Sequence, residues 1–296
     1  MKRTICLILL AVSLLCPATA ATRRALTVFI GDYPESSGWN KLASSNDRSI
    51  ILKMLKDNAF LPENIIYLQG REATHDAIIN ALDRLLSLAE TGDQIYVHFS
   101  CHGQQITDQD GDEALINPRD LYDEAIVPSD ACIAYGWNGY KGENHIIDDV
   151  LNRYFNALTS KIGKRGCLLV VNDACHSGGL ERQDADSDTL HFRGTFDAFE
   201  QPFEGRQVKP EIQPVTWVSI SACKDFQTNF EVNIDGKRYG RLSYAMARSF
   251  HAGMTAVQLT EALTGTYKSM PLPAGKAQTL ASFIPEKLKN KKLFGQ

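Results

Sequence analysis

Apolar residues fall along this chain in short runs of two kinds. Ala25–Ile30 (ALTVFI), Asn64–Leu68, Gln94–Ser100 (QIYVHFS), Cys167–Val171 (CLLVV) and Val215–Ser221 are brief and rich in β-branched or aromatic residues, so they predict strands. Between them the apolar positions recur with helical spacing. Asn46–Asn58 places Ile50, Ile51, Met54 and Leu55 on one side, and Thr74–Ala89 does the same with Ile78, Ile79, Leu82, Leu85, Leu86 and Leu88. Asp148–Leu158, Arg241–Phe250 and Ala256–Thr264 also predict helices. The unbroken CLLVV run is what a strand buried on both faces needs. Strands alternating with helices at this spacing predict an α/β fold: a mostly parallel sheet with helices on both faces. Two segments break the pattern. Gln104–Asn144 is polar, acidic and turn-rich, and Gly178–Gln213 is long and polar with Arg182, Arg193, Arg206 and Lys209. Irregular segments of this length are functional or disordered, and the second reads as a flexible, cleavable linker.

The first twenty residues stand apart. Met1–Arg3 is basic, Thr4–Cys16 is nearly all apolar, and Ala18-Thr19-Ala20 puts small residues where a signal peptidase reads. This is the pattern of a secretory signal cut after Ala20, and the apolar run is short for a membrane anchor. Cys16 as a lipoprotein cysteine is disfavoured by bulky Leu15 before it. Export to the periplasm or the exterior is expected, with no membrane attachment after cleavage. With 296 residues, 44% of them hydrophobic and 22% charged, the chain has ordinary globular usage and length for a sizeable core. A net charge of −4 without a basic run argues against nucleic-acid partners. Of seven cysteines, Cys6 and Cys16 leave with the signal. Cys101, Cys132, Cys167, Cys175 and Cys223 are too few, and odd in number, for a disulfide framework.

Candidate chemistry sits at two strand ends, where open α/β sheets bind their ligands. Gln94–Ser100 runs into Cys101-His102-Gly103, and Cys167–Val171 runs into Asn172-Asp173-Ala174-Cys175-His176-Ser177-Gly178-Gly179. A histidine after one buried strand and a cysteine after another suit a nucleophilic pair: the thiolate attacks, and the imidazole takes its proton and returns it to the leaving amine. His102 is preferred to His176 as the base, because adjacent side chains after a strand point apart. Three other chemistries fit worse. A phosphatase loop wants Arg where Glu181 stands, and Arg182 falls one place late. Zinc held by Cys101, His102, Cys175 and His176 would need directly adjacent ligands, whereas zinc sites prefer spacers. The run Asp108-Gln109-Asp110-Gly111-Asp112-Glu113 has its glycine in the fourth place, not the sixth that an EF-hand requires.

HFSCHG (His98–Gly103) and NDACHSGG (Asn172–Gly179) resemble the two catalytic motifs of the caspase-like cysteine peptidases, with the metacaspases closest. DGDE (Asp110–Glu113), DEAIVPSD (Asp123–Asp130), IIDD (Ile146–Asp149) and SISACKDFQTNFE (Ser219–Glu231) resemble further blocks in the family's order, and ALTVFIGDY and SSNDRSI fit its first strand and helix. The resemblance spans about Ala25 to Ser249. It implies a caspase-like α/β/α sandwich over residues 21–296, with a large-subunit-like part (21–177), the linker (178–213) and a small-subunit-like part (214–296). It implies peptide-bond hydrolysis through an acyl-enzyme, with His102 as general base and Cys175 as nucleophile. It implies cleavage after Arg or Lys, through an acidic pocket matched by Asp47, Asp173 and Ser100, with Ser44 at a further position. Two buried carboxylates would independently favour a cationic side chain.

The chemistry needs no cofactor, but many metacaspases need calcium. The matching acids are Asp123, Asp148 and Asp149; the fourth family position falls at Arg182, with Glu181 or Asp184 as substitutes. Other departures stand out. Ala131–Asn144, with Trp137 and Tyr140, is enlarged, Cys101 replaces a usual Gly, and a signal peptide is uncommon in the family. The linker's basic residues make self-cleavage there an expectation, and the family implies a monomer. The alternatives are a non-catalytic caspase-fold binding module and a clostripain- or gingipain-like peptidase.

Overall fold

The computed structural model describes residues 21–175, 191–203, 214–224 and 227–295. In chain order its elements are strand β1 (Arg23–Phe29), helix α1 (Ser44–Asp57), β2 (Ile65–Gln69), α2 (His75–Leu88), β3 (Gln94–Ser100), β4 (Gly103–Thr107), the short α3 (Glu113–Ile116), β5 (Tyr122–Ile126), β6 (Ile146–Ile147), α4 (Asp148–Ile162), β7 (Cys167–Asp173), β8 (Val218–Ser221), β9 (Glu231–Ile234), β10 (Lys237–Gly240), α5 (Arg241–Ser249), α6 (Ala256–Ser269) and β11 (Ala281–Phe283). Six strands form the main sheet in the order β11-β8-β7-β3-β1-β2, parallel except for β11.

Both faces are covered, as the apolar runs require. On one face Leu26, Val28, Ile95, Val97, Phe99, Leu168 and Val170 pack with Ile78, Leu82 and Leu85 of α2 and Leu151, Phe155 and Leu158 of α4. On the other, Ala25, Tyr96, Leu169, Val171 and Ile220 pack with Ile51, Met54 and Leu55 of α1, Leu242 and Met246 of α5, and Leu259 and Leu263 of α6. The sandwich is the α/β fold expected of the caspase-like class.

Register places the site. Phe29 pairs with Ser100, and Ser100 pairs with Asp173, so β1, β3 and β7 end in one layer. Side chains alternate along a strand. Ser100 therefore shares a face with Tyr96, and Asp173 with Val171, beneath α1 and α5. Two segments depart from expectation. The polar stretch Gln104–Asn144 contributes β4 and β5, which pair antiparallel with each other and with β6 as a separate three-stranded sheet. Its apolar residues are too scattered to announce strands, and Phe199 from the linker completes its cover. A second hairpin, β9–β10, turns through Asp235 and Gly236, both at positive φ.

Gly166 joins α4 to β7 where a Cβ would lie 2.5 Å from Ile162 Cβ and 2.7 Å from the Asp93 carbonyl oxygen. Gly166→Ala should cost about 1–3 kcal/mol by overpacking. That lowers Tm by roughly 2–10 °C, read by thermal unfolding.

Candidate active site

His102 and Cys175 each lie two residues beyond a register pair, Ser100 and Asp173, so the chain carries them side by side past the sheet edge. Both are buried. The His102 ring stacks on Trp39 (centroids 4.7 Å apart, 28° between planes) and meets Tyr33 at 5.0 Å. Tyr33 is fixed in turn, its hydroxyl donating to the Val127 carbonyl at 2.8 Å and accepting the His102 N–H at 3.1 Å. His102 Nε2 lies 2.8 Å from the Asn40 carbonyl oxygen, which can only accept, so the ring proton sits on Nε2. Nδ1, buried and without a hydrogen-bond partner, is left with its lone pair. Burial pushes the imidazole down to about 3, against the pull of the Asn40 carbonyl and with a contribution from the Arg193 charge. The ring is neutral and its free nitrogen is a base.

Beside this pair lies a pocket of carboxylates, and it is filled by the chain's own Arg193. The guanidinium is fully buried. Its Nη2 donates to Asp47 Oδ2 at 2.6 Å and Glu231 Oε1 at 3.0 Å; its Nη1 donates to Ser100 Oγ at 2.8 Å and the Asp173 carbonyl at 3.3 Å, with Asp173 Oδ2 at 3.5 Å. Each acid is held from behind. Asp47 accepts from the Gly240 N–H and the Ser100 hydroxyl, and Glu231 from the Ala43 N–H. Asp173 accepts from Asn229 and from both the N–H and the hydroxyl of Ser243. Since Ser243 donates to Asp173, it accepts from His98 Nε2 at 3.0 Å, and His98 Nδ1 accepts from the Tyr96 hydroxyl at 2.8 Å. Burial would raise Asp173, but Arg193, Ser243 and Asn229 outweigh it and hold its carboxyl below the ordinary value. Burial pushes Asp47 up to about 6 against the pull of Arg193. Gly240 leaves the space for the guanidinium: a Cβ there would sit 2.2 Å from Asp173 Oδ2 and 2.5 Å from Arg193 Cζ.

The backbone around Arg193 is held like a bound strand. Its N–H donates to the Asn229 carbonyl at 2.9 Å, and the Glu231 N–H donates to the His191 carbonyl at 2.8 Å. The Arg193 carbonyl accepts the Cys175 N–H at 2.7 Å. Gly194 follows so closely that a Cβ on it would lie 3.0 Å from Cys175 Cβ and 3.1 Å from the Gly103 carbonyl oxygen. The Arg193–Gly194 peptide bond thus runs between the nucleophile candidate and the strand end that bears the base.

Of the expected pocket residues, Asp47, Ser100 and Asp173 converge on one guanidinium. Asp47 lies in the first turn of α1, but its carboxylate turns to the pocket and does not cap the helix. Ser44, one turn earlier, is buried with its hydroxyl unpartnered and has no polar part in holding Arg193. Glu231 and Gly240 were not foreseen. Glu231 closes the SISACKDFQTNFE block, so an acid at the end of a matching motif was the available signal; a lone glycine gives none. Cys101 packs in the core, and burial pushes its thiol up to about 12. None of Cys101, Cys132, Cys167, Cys175 and Cys223 forms a disulfide. His176, Glu181, Arg182, Asp184, Arg206, Lys209 and the Met1–Ala20 run lie outside the described residues.

A second polar cluster lies at the far end of β4 and β5. Asp123 on β5 and Asp148 and Asp149 at the start of α4, the acids expected to bind calcium, are joined by Asp108, Asp110, Asp112 and Glu113. Carboxylate oxygens gather within 4.8 Å in three overlapping triads: Asp108, Asp112 and Asp123; Asp110, Asp112 and Asp149; Glu113, Asp123 and Asp148. The DQDGDE run is no EF-hand, but its acids face the same cluster. Asp108 Oδ1 folds the turn by accepting the N–H groups of Asp110 and Gly111. Burial, then the neighbouring carboxylates, push Asp112 up to about 6, Glu113 and Asp148 to about 7, and Asp123 to about 8.

A cysteine and a histidine at the ends of adjacent parallel strands, inside a two-faced α/β sandwich, define a caspase-like protein. The chain belongs to the metacaspase family: the family model for the metacaspase, peptidase C14 domain, matches residues 23–182. Metacaspase-1 of Schizosaccharomyces pombe is 29% identical over 212 residues, covering 58% of this chain and 45% of that protein. Metacaspase-1B of Aspergillus oryzae is 28% identical over 235 residues, covering 66% and 52%. The chain spans about half the length of the curated relatives it matches. The crystal structure of a Geobacter sulfurreducens protein shares the fold at a TM-score of 0.60 and 19% identity, covering 93% of this chain and 98% of that one. Among the described residues no helix is long and apolar enough to cross a membrane.

Glu231→Gln keeps the bond from Ala43 and removes one charge facing the guanidinium. A charge-assisted hydrogen bond is worth about 1.5–3 kcal/mol. Weakening that bond to the chain's own buried Arg193 should therefore cost about 1.5–3 kcal/mol of stability, a fall in Tm of roughly 3–12 °C read by thermal unfolding.

Proposed function

We propose that this protein is an exported cysteine endopeptidase that cleaves peptide bonds after Arg, less readily after Lys, and that cuts its own chain between Arg193 and Gly194. The observation that carries this is Arg193, seated among three carboxylates with its carbonyl on the Cys175 N–H. Export rests on the Met1–Ala20 run alone.

The chemistry follows from the placements. Neutral His102 takes the Cys175 thiol proton on Nδ1, while its Nε2–H stays on the Asn40 carbonyl and fixes the ring. The thiolate attacks the carbonyl carbon of the Arg residue. Negative charge gathers on the carbonyl oxygen, which already accepts the Cys175 N–H. The intermediate collapses by breaking the C–N bond, and His102 returns the proton to the departing amine. Water, deprotonated by the same ring, then hydrolyses the thioester, giving a carboxylate and the free thiol.

The pocket is a fork-reader. Both terminal nitrogens of Arg193 are used, each on two acceptors. A lysine ammonium is a single point and cannot span Asp47 and Glu231 on one side with Ser100 and the Asp173 carbonyl on the other. An acidic side chain would be repelled.

The acid cluster fits a hard dication. Asp112 Oδ1 and Asp148 Oδ1 are buried without a hydrogen-bond partner, and oxygen-only ligands suit calcium. Asp108, Asp112, Asp123, Asp148 and Asp149 would hold it. There it would supply charge neutralisation and no bond chemistry. Its effect would reach the site along β4 and β5, which begin at Gly103 and end beside Val127, whose N–H holds the His102 carbonyl.

Three outcomes test this reading. Wild-type protein should split between Arg193 and Gly194, shown by N-terminal sequencing of the fragment. Cys175→Ala and Arg193→Ala should each leave that bond intact, and an intact bond in wild type with calcium and reductant present would overturn the assignment. Arginyl peptides should exceed lysyl peptides in kcat/KM by about tenfold or more, the worth of one lost charge-assisted hydrogen bond. Metal-free protein should lose thermal stability as pH rises from about 6.5 to 8, above the range in which the buried neutral His98, His102 and His145 act with the opposite sign. In that window the raised carboxyls hold protons in the folded chain that the unfolded chain releases. Saturating calcium should flatten that slope, and an unchanged Tm with calcium at pH 8 would remove the ion from the scheme.

A further inference from the structure

The chain beyond Arg193–Gly194 is also held, and by a second pocket. Phe199, six residues past Arg193, is fully buried. Its ring lies edge-on to Tyr140 (centroids 5.6 Å apart, 77°) and Tyr135 (6.2 Å, 72°), and meets His145 at 4.8 Å. Gly142 closes the wall: a Cβ there would come within 2.9 Å of the Phe199 ring and 3.4 Å of Ile106 Cδ1. The backbone joins the edge of β4 as a short parallel bridge. The Phe199 N–H donates to the Gln105 carbonyl at 2.7 Å, and the Thr107 N–H donates to the Phe199 carbonyl at 3.2 Å. Gln104 Nε2 donates to the Asp197 carbonyl at 3.0 Å, and the Gln201 N–H donates to Thr107 Oγ1 at 3.1 Å. His145 is neutral, burial pushing it down to about 3, and its Nε2 shares a hydrogen bond with Gln104 Oε1.

We infer that this pocket is a substrate subsite on the leaving-group side, which takes a large aromatic side chain six residues beyond the cleaved bond. The inference rests on Arg193 marking the cleaved bond. Strand addition to β4 supplies affinity indifferent to sequence, and the ring pocket supplies choice. The pocket is built largely from the Ala131–Asn144 segment, which gives Tyr135, Tyr140 and Gly142. In the resting protein Phe199 fills it, as Arg193 fills the cation pocket.

The test uses full-length Phe199→Ala protein, which opens the subsite, with Cys175→Ala added for binding. A dye-labelled peptide with the sequence of residues 194–200 should bind about tenfold or more tighter than the same peptide with Ala at the Phe199 position, as expected for burying one aromatic side chain. Catalytically competent Phe199→Ala protein should show a similar preference in kcat/KM between decapeptides spanning residues 191–200, carried by KM. In wild type the preference should shrink, because the tethered Phe199 competes. Equal binding and equal cleavage of the two peptides would overturn the subsite and leave the peptidase intact. Preferential binding with the Arg193–Gly194 bond of wild type left uncut would keep the aromatic pocket as a binding site and defeat the peptidase reading.

Discussion

A single guanidinium buried among three carboxylates organises the active end of this protein. Charges taken out of water are costly, and their attraction offsets that cost only when geometry is good and the remaining hydrogen-bonding positions are filled. Here five elements fill most of them: α1 brings Asp47, β3 brings Ser100, β7 brings Asp173, and β9 and α5 bring Glu231 and Ser243, while Arg193 Nε and Glu231 Oε2 stay without a hydrogen-bond partner. Remove the cation and three carboxylates face one another in a dry pocket. Such a pocket attracts a cation. The charge also reaches the base, since Arg193 helps keep the His102 ring neutral.

What allows this concentration of charge is the stiffness of the sheet beneath it. β1, β3 and β7 end in one layer with all central strands buried on both faces, so neither Ser100 nor Asp173 can shift without dragging a core strand. The polar chain from Tyr96 through His98 and Ser243 to Asp173 runs inside that core and is satisfied at each link. A satisfied buried network rigidifies what it connects. The catalytic candidates themselves sit two residues past that layer and are held by their backbone, His102 through Tyr33 on its N–H and Val127 on its carbonyl, Cys175 through the Arg193 carbonyl on its N–H.

Much of this was legible in the residues. A strand buried on both faces has no place for His98 and Ser100 unless they are partnered, so QIYVHFS announces a polar site within a core. The equal offset of His102 from Ser100 and of Cys175 from Asp173 is visible in the numbering, and parallel pairing turns it into proximity. The three-stranded sheet was hidden because β4 and β5 bury only part of themselves against their own segment and borrow Phe199 from 73 or more residues away. Arg193 stood among four basic linker residues with nothing local to single it out. Its distinction is tertiary: Asn229 and Glu231 offer a strand edge at the right distance from the carboxylates, and Gly194 tolerates the approach of Cys175. Gly240 was silent for the same reason, since its role is to be absent from a space that only the fold defines.

The two anchors on either side of the Arg193–Gly194 bond would both survive its cleavage. Arg193, its backbone pairing to residues 229–231 and its carbonyl on Cys175 all lie on the acyl side. Hydrolysis turns the carbonyl into a carboxylate but breaks none of the contacts of the guanidinium. The anchor at Phe199 lies wholly on the amine side and is likewise untouched. A tethered segment faces its pocket at an effective concentration in the millimolar range when the tether is short and flexible. Cutting the bond therefore separates two held strands without by itself emptying either pocket. If the bond is cut, opening the site to another chain would be a second event, in which an incoming arginine would have to compete for the carboxylates with Arg193 itself.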